Sequence, residues 1–315
     1  ARASFGVILV TTKSGKSGKT NVSYSGSARF SDAIGIPDIM DSYTFAQYFN
    51  RASANKGGGD IFAPAVMERI KAYQEGTLKA TTVDNGAGIW QKWANANGNT
   101  DWFEEFYDHW APSQEHNLSI NGGTDKTQYL ISGSFLDQKG LMRHGSDKFQ
   151  RYTLNGKITT AVTDWFKVTY STKWTREDFE RPTYLTGSFF HNLARKWPVH
   201  PAYDPNGFPM DEGEVEQMEN GGKQNSQKDF YTNQLQLVFE PIKNWKINLD
   251  GSVRTTTQYQ HWEVLPVYAY NVDGDPYYTV WDMGYGSYAA GSSRVNEYSW
   301  KENYYTTNIY SDYFK

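Results

Sequence analysis

The chain has 315 residues, with 31 basic and 35 acidic side chains interspersed to a net charge of −4, and it contains no cysteine. That balance leaves no basic surface for nucleic acid, and the missing thiols exclude disulfide frameworks and thiolate metal sites. Hydrophobic residues make up 38%, mean hydropathy is −0.71, and no apolar run approaches the roughly 20 residues of a membrane-spanning helix.

In chain order, residues 6–16 read as a short apolar strand closed by a Ser-Gly turn. Residues 20–30 form the first alternating strand, with Val22, Tyr24, Ala28 and Phe30 opposing Ser23, Ser25, Ser27 and Arg29. A long insertion, 31–112, is partly helical. Asp41 reads as the N-cap of a helix with Phe45, Tyr48, Phe49 and Ala52 on one face. Pro64 suits the first turn of a second helix carrying Val66, Met67, Ile70 and Tyr73, with Gly76 as its stop.

Strand pattern returns at 115–121 and, after a Gly-Gly-Thr-Asp-Lys turn, at 128–138. The clearest alternation follows. In 149–162, Tyr152, Leu154, Ile158 and Val162 oppose Arg151, Thr153, Asn155, Lys157 and Thr159. In 166–175, Phe166, Val168, Tyr170 and Trp174 oppose Lys167, Thr169, Ser171 and Lys173. A second long loop, 177–228, leads to a strand at 229–240, a Pro-Ile-Lys-Asn turn, and the strand 245–259. There Trp245, Ile247, Leu249 and Val253 oppose Lys246, Asn248, Asp250 and Arg254. A third long loop, 260–294, precedes a last strand at 295–315. Short turns thus alternate with long loops. With 11 Trp, 23 Tyr and 17 Phe, many at strand ends, this is the pattern of a transmembrane β-barrel: apolar residues toward lipid, polar residues toward a lumen, and aromatic girdles at both interfaces.

Several motifs carry a family resemblance. Gly6, Val7, Ile8, Leu9, Val10, Thr11, Thr12 and Lys13, followed by Ser14, Gly15 and Lys16, resemble the end of the plug domain in SusC/RagA-type TonB-linked outer-membrane transporters. Asp101-Trp102, Ala111-Pro112-Ser113-Gln114, the 122–127 turn, Ser132-Gly133-Ser134-Phe135, Asp137-Gln138-Lys139-Gly140, Arg151-Tyr152 and Thr163-Asp164-Trp165 follow in the family's order. The departure lies at Ala3-Ser4-Phe5, where the family more often has Ala-Ala-Asn. The resemblance implies an all-β fold, part of a large antiparallel barrel of about 22 strands with a plugged lumen. Residues 1–19 would be the end of the plug and a linker, and residues 20–315 the first eight or so barrel strands. The chain opens on Ala1 with no signal peptide and reads as a piece of a longer protein.

The same resemblance implies the outer membrane of a Gram-negative, Bacteroidetes-like bacterium and contact with its lipid. It implies a surface lipoprotein of the SusD type as partner, and energy from a TonB–ExbB–ExbD complex acting on a segment outside this chain. Cargo is expected to be an oligosaccharide, with Trp90, Trp93, Trp102, Trp197, Trp262 and Trp281 as stacking surfaces. Peptides are the rival cargo, and a secreted, soluble carbohydrate-binding β-protein is the rival class. Trp also packs loops and anchors partner proteins, so either role stays open for each indole. The acidic clusters at Glu104-Glu105, 177–180 and 211–216 specify no paired-carboxylate geometry. The six His show no metal-ligand spacing, and 204–207 and 273–275 read as turns. An enzyme is not expected, nor is a cofactor or resident metal.

Overall fold

The computed structural model describes residues 13–279 and 291–314. The plug-end residues Gly6 to Thr12, and Trp281, lie outside the described residues; Lys13 is exposed and outside any strand. The strands are β1 (Gly18–Ser31), β2 (Ala111–Gly123), β3 (Thr127–Lys139), β4 (Lys148–Thr163), β5 (Phe166–Pro182), β6 (Lys223–Ile242), β7 (Trp245–Val264), β8 (Tyr268–Tyr270), β9 (Pro276–Tyr278) and β10 (Arg294–Tyr313). Eight of them form one antiparallel sheet in the order β1-β2-β3-β4-β5-β6-β7-β10, while β8 and β9 make a separate hairpin. The expected turns close the sheet at one end. The chain reverses through Asp164 and Trp165 between β4 and β5, and through Lys243 and Asn244 between β6 and β7. Asn244 has φ +71° there, a left-handed position that Asn tolerates.

Register joins the single-strand faces into two continuous surfaces. Ile158 opposes Tyr129 and Tyr170; Tyr170 opposes Leu235; Val168 opposes Leu237, which opposes Leu249. These side chains are not core: Leu154 is 53% exposed and Ile158 45%. At the turn end the apolar band is bounded by Trp165, Trp245 and the stacked pair Phe166–Phe239, whose centroids lie 4.6 Å apart. At the other end it is bounded by Phe135–Tyr152, 5.1 Å apart, and by Trp174 beside Tyr231. From Phe166 to Trp174 is eight residue steps, about 27 Å along a strand. An exposed apolar band with an aromatic border at each end is what a barrel wall presents to lipid.

The strands run further than their alternation predicts. β5 continues to Pro182 and β6 begins at Lys223, so pairing persists through 177–182 and 223–228, and β7 extends to Val264. Polar residues occupy both faces here, so no period-two signal marks the strand, and cross-strand pairs hold it instead. Arg176 binds Asp229 through two bonds of 2.9 and 3.0 Å, and Glu180 lies 3.3 Å from Lys223 and 3.8 Å from Lys148. The connections therefore shrink to residues 183–222 and 265–293.

The hydrophobic core sits in the long loops. One cluster gathers Trp102, Phe106, Tyr184, Phe189, Leu193, Val215, Met218, Val264 and Val267 from all three connections. A second packs Ala46, Phe62, Val66, Ile70 and Val199. Around them lie α1 (Ser42–Asn55), α2 (Pro64–Gln74), α3 (Trp102–Phe106), α4 (Gly187–Leu193) and α5 (Val215–Asn220). Asp41 caps α1, accepting from Thr44 N at 3.0 Å, and Gln74 at the end of α2 donates to the same oxygen at 3.0 Å. Gly76, at φ +75°, ends α2 as expected. The buried stripe of α1 is Ser42, Ala46 and Ser53, while Tyr48 is 62% exposed. The helix is rotated from the expected face because Phe45 and Phe49, 4.4 Å apart, both turn toward Trp197.

Candidate functional site

The three long loops meet at Asp211. Lys92 from the first loop donates to its Oδ2 at 2.7 Å, Tyr277 from the third donates to Oδ2 at 3.5 Å, and Thr279 donates to Oδ1. Lys92 also reaches Glu212 at 2.6 Å. Three non-glycine residues near this junction hold positive φ: Trp93 (52°), Glu212 (61°) and Glu214 (69°). Such backbone costs about 1–3 kcal/mol per residue and persists where surroundings enforce it. Here Trp93 Nε1 donates to Glu212 Oε2 at 2.5 Å, and Lys196 Nζ donates to the Glu212 carbonyl at 2.5 Å.

His200 lies beneath, fully buried and stacked on Trp93 at 4.6 Å. Burial, reinforced by Lys196 and Lys92, depresses its pKa well below the usual imidazole range, so it is neutral. Its Nε2 donates to the Asp211 carbonyl at 3.1 Å, which leaves Nδ1 to accept from Trp93 N at 3.4 Å. Glu214 is raised above its ordinary value by burial, against the pull of Lys196, Asn192 and Tyr184.

The predicted stacking residues divide. Trp102 is fully buried, its Nε1 donating to the Trp197 carbonyl at 3.0 Å, so it packs the loop core and has no face for cargo. This corrects the expectation for that residue: α3 turns its indole inward against Phe106 and His200. Trp262 packs on the same core and is half-buried. Trp90 is half-buried beside the Asp204 carboxylate. Trp93 and Trp197 come together, 6.0 Å apart and edge to face, each partly exposed. Sequence reasoning missed Asp211, Lys92 and His200, because residues of different loops carry no local pattern.

A second tie joins three connections. His144, between β3 and β4, bonds Glu105 of α3 at 2.9 Å and Glu219 of α5 at 2.7 Å. Burial would lower its pKa, but the two carboxylates outweigh burial and raise it. Glu105 is also opposed by burial, yet is held below its ordinary value by His144 and Tyr203, and Tyr203 is pushed up to about 12, by burial first and Glu105 second. The aspartate turns serve themselves: Asp204 Oδ1 accepts from Asn206 N and Phe208 N. Among the described residues no three His, Asp or Glu side chains are placed to hold a metal ion.

No family profile matches the chain. Its sequence is 29% identical over 154 residues to the TonB-dependent receptor SusC of Bacteroides thetaiotaomicron, covering 49% of this chain and 12% of that protein. It is 26% identical over 168 residues to the TonB-dependent receptor P3 of Formosa agariphila, covering 53% of this chain and 13% of that one. The fold matches the RagAB peptide importer in its closed-closed state, with TM-score 0.69 and 16% identity over 96% of this chain and 33% of the solved one. The open-open state gives TM-score 0.63 and 19% identity, over 84% and 31%. These partial matches support the likeness of the chain to SusC/RagA-like TonB-dependent transporters. It spans about a third of the solved importer chain, and its sequence matches cover about an eighth of each curated relative.

Its eight-stranded sheet is part of a barrel wall in the outer membrane. A secreted soluble β-protein is thereby set aside. The apolar face with its two girdles meets lipid, and the polar face turns to the lumen. In the central stretch of β4–β7 that inward face carries Arg151, Lys157, Lys167, Lys173, Lys228 and Arg254, against Glu177 and Asp250 alone.

Proposed function

We propose that the whole protein is a TonB-dependent importer of nutrient oligomers and that its cargo is an oligosaccharide. The observation that carries the cargo reading is the Trp93–Trp197 pair, two partly exposed indoles at the junction of three loops, ringed by Lys92, Asp211 and Glu212. Flat rings pack on the C–H faces of sugars, while the charged rim bonds hydroxyls. In this reading Trp90 and Trp262 border the cargo path, and Trp281, outside the described residues, is proposed as a further stacking surface. Residues 1–19, including the Gly6–Lys13 motif, form the end of a plug, and residues 20–315 form the first barrel strands. A surface lipoprotein of the SusD type caps the loops, and TonB–ExbB–ExbD supplies energy through a plug segment, since an outer membrane holds no ATP.

Uptake by cells producing the intact protein tests this reading. Labelled glycans should enter, TonB loss should abolish entry, and Trp93→Ala with Trp197→Ala should weaken it. Entry of peptides alone, unaffected by those substitutions, would overturn the glycan cargo; entry without TonB would overturn the importer reading.

A further inference from the structure

We infer that the inward wall of β4–β7 holds a site for an acidic sugar unit, bearing a carboxylate or a sulfate, at the outer mouth of the barrel. The sugar rests on the oligosaccharide reading above; the charge rests on the wall alone. Arg151, Lys173 and Arg254 surround Phe230 in a concavity of ≈ 620 Å³, with Glu177 at its edge. Register fixes this arrangement. Lys173 and Arg254 both oppose Thr232 from either side, and Lys228 opposes Glu177, which opposes Arg151. The Lys228 ammonium and the Arg254 guanidinium stand 5.0 and 5.6 Å from the centre of the Phe230 ring.

Among the described residues none of these four cations forms an ion pair, whereas on the opposite face Arg176 at the same level is matched to Asp229, and Lys223 further toward the loops to Glu180. Like charges brought together on neighbouring strands repel, and a bound anion relieves that cost. The partner must be an anion that arrives from outside the wall. Lys173 adjoins Trp174 of the outer girdle and Arg151 lies beyond it, so the site is near the loop end, where entering cargo arrives first.

The remaining lining selects a sugar. Phe230 offers a ring face, Thr153, Thr175 and Thr232 offer hydroxyls, and Glu177 can accept from a sugar hydroxyl. A peptide adding as a strand needs a free backbone edge, and β5, β6 and β7 are paired on both sides.

The test is calorimetric titration of the full-length protein in detergent with tetragalacturonate, a sulfated chondroitin tetrasaccharide, maltotetraose and tetraglutamate. At least one acidic tetrasaccharide should bind tenfold or more tighter than maltotetraose, and salt should erode the difference. The Lys173→Gln/Arg254→Gln double variant should abolish that preference, whereas Lys157→Gln, lower in the wall, should keep it. Unchanged gel mobility of the unheated protein would show that the variants fold. Equal affinity for acidic and neutral sugars, or a preference that survives the double variant, would overturn the site. That is also the result expected if a plug carboxylate already occupied the cations. Binding of maltotetraose alone would overturn the site and leave the importer standing. Lys173- and Arg254-dependent binding of tetraglutamate alone would overturn the sugar.

Discussion

Ile158 sits where a charge should do most harm. On β5 the apolar band runs from Phe166 to Trp174, and its midpoint is Tyr170, the residue paired with Ile158. At a strand tilt of about 40°, the ~27 Å of strand between the girdles spans roughly 20 Å of depth. Ile158→Arg therefore places a guanidinium about 10 Å from either interface, too far for its side chain to reach headgroups without distortion. The expected cost is about 2–4 kcal/mol, a factor of roughly 30–700 in the folding equilibrium. Thr159→Arg, one residue on, points into the lumen and forfeits only the 3.1 Å contact with Thr169, about 1 kcal/mol. Denaturant titration of the full-length protein in lipid vesicles, scored by gel mobility without heating, measures both. Equal destabilisation at 158 and 159 would refute the assignment of faces.

Asp211→Ala should loosen the end of the third loop around Tyr277 and Thr279 while leaving the barrel folded and Val267 in the core, and limited proteolysis should then cut within 276–279 several-fold faster. Trp102→Ala should destabilise the loop layer by about 3–5 kcal/mol through its cavity, whereas Trp93→Ala, which loses the stack on His200 and the bond to Glu212 at a partly exposed position, should cost less stability and weaken cargo binding about tenfold. The His144 tie has a pH signature. The raised histidine contributes fully below its ordinary 6.5 and fades as pH rises through its folded value; the depressed Glu105 contributes fully above 4.5 and fades as pH falls through its own. The protection of residues 215–220 against hydrogen exchange, taken relative to the intrinsic rate at each pH, should be greatest between those limits and fall as pH rises above them, and His144→Ala should remove that pH dependence.

The wall was legible because a strand at a boundary between lipid and water records both environments in alternate residues. Leu154 and Asn155 declare their faces without reference to any other strand. Where both sides are wet, as at 177–182, the alternation vanishes and only the pairing of Glu180 with Lys223 reveals that the strand continues. Loop structure was legible where chemistry is local, as at Asp41 and Pro64. It was hidden where chemistry is long-range: Asp211 gathers Lys92 and Thr279, far apart in the chain, and nothing beside Trp102 announces that Phe106 and His200 will enclose it. The cationic wall lies between these cases. Each strand shows one or two inward cations, but their convergence on Phe230 depends on register, which no single strand encodes.

The overshoot of β5 beyond Trp174 to Pro182 is another eight steps, about 27 Å of chain and, at the same tilt, some 20 Å of height. The barrel thus carries a rigid parapet, stitched by salt bridges, that lifts the loops clear of the lipid headgroups. Whatever docks on the loops, whether a partner, a phage or an antibody, meets them above the sugar-coated surface instead of within it. Shortening the extensions of β4 to β7 by matched pairs of residues would lower that platform stepwise.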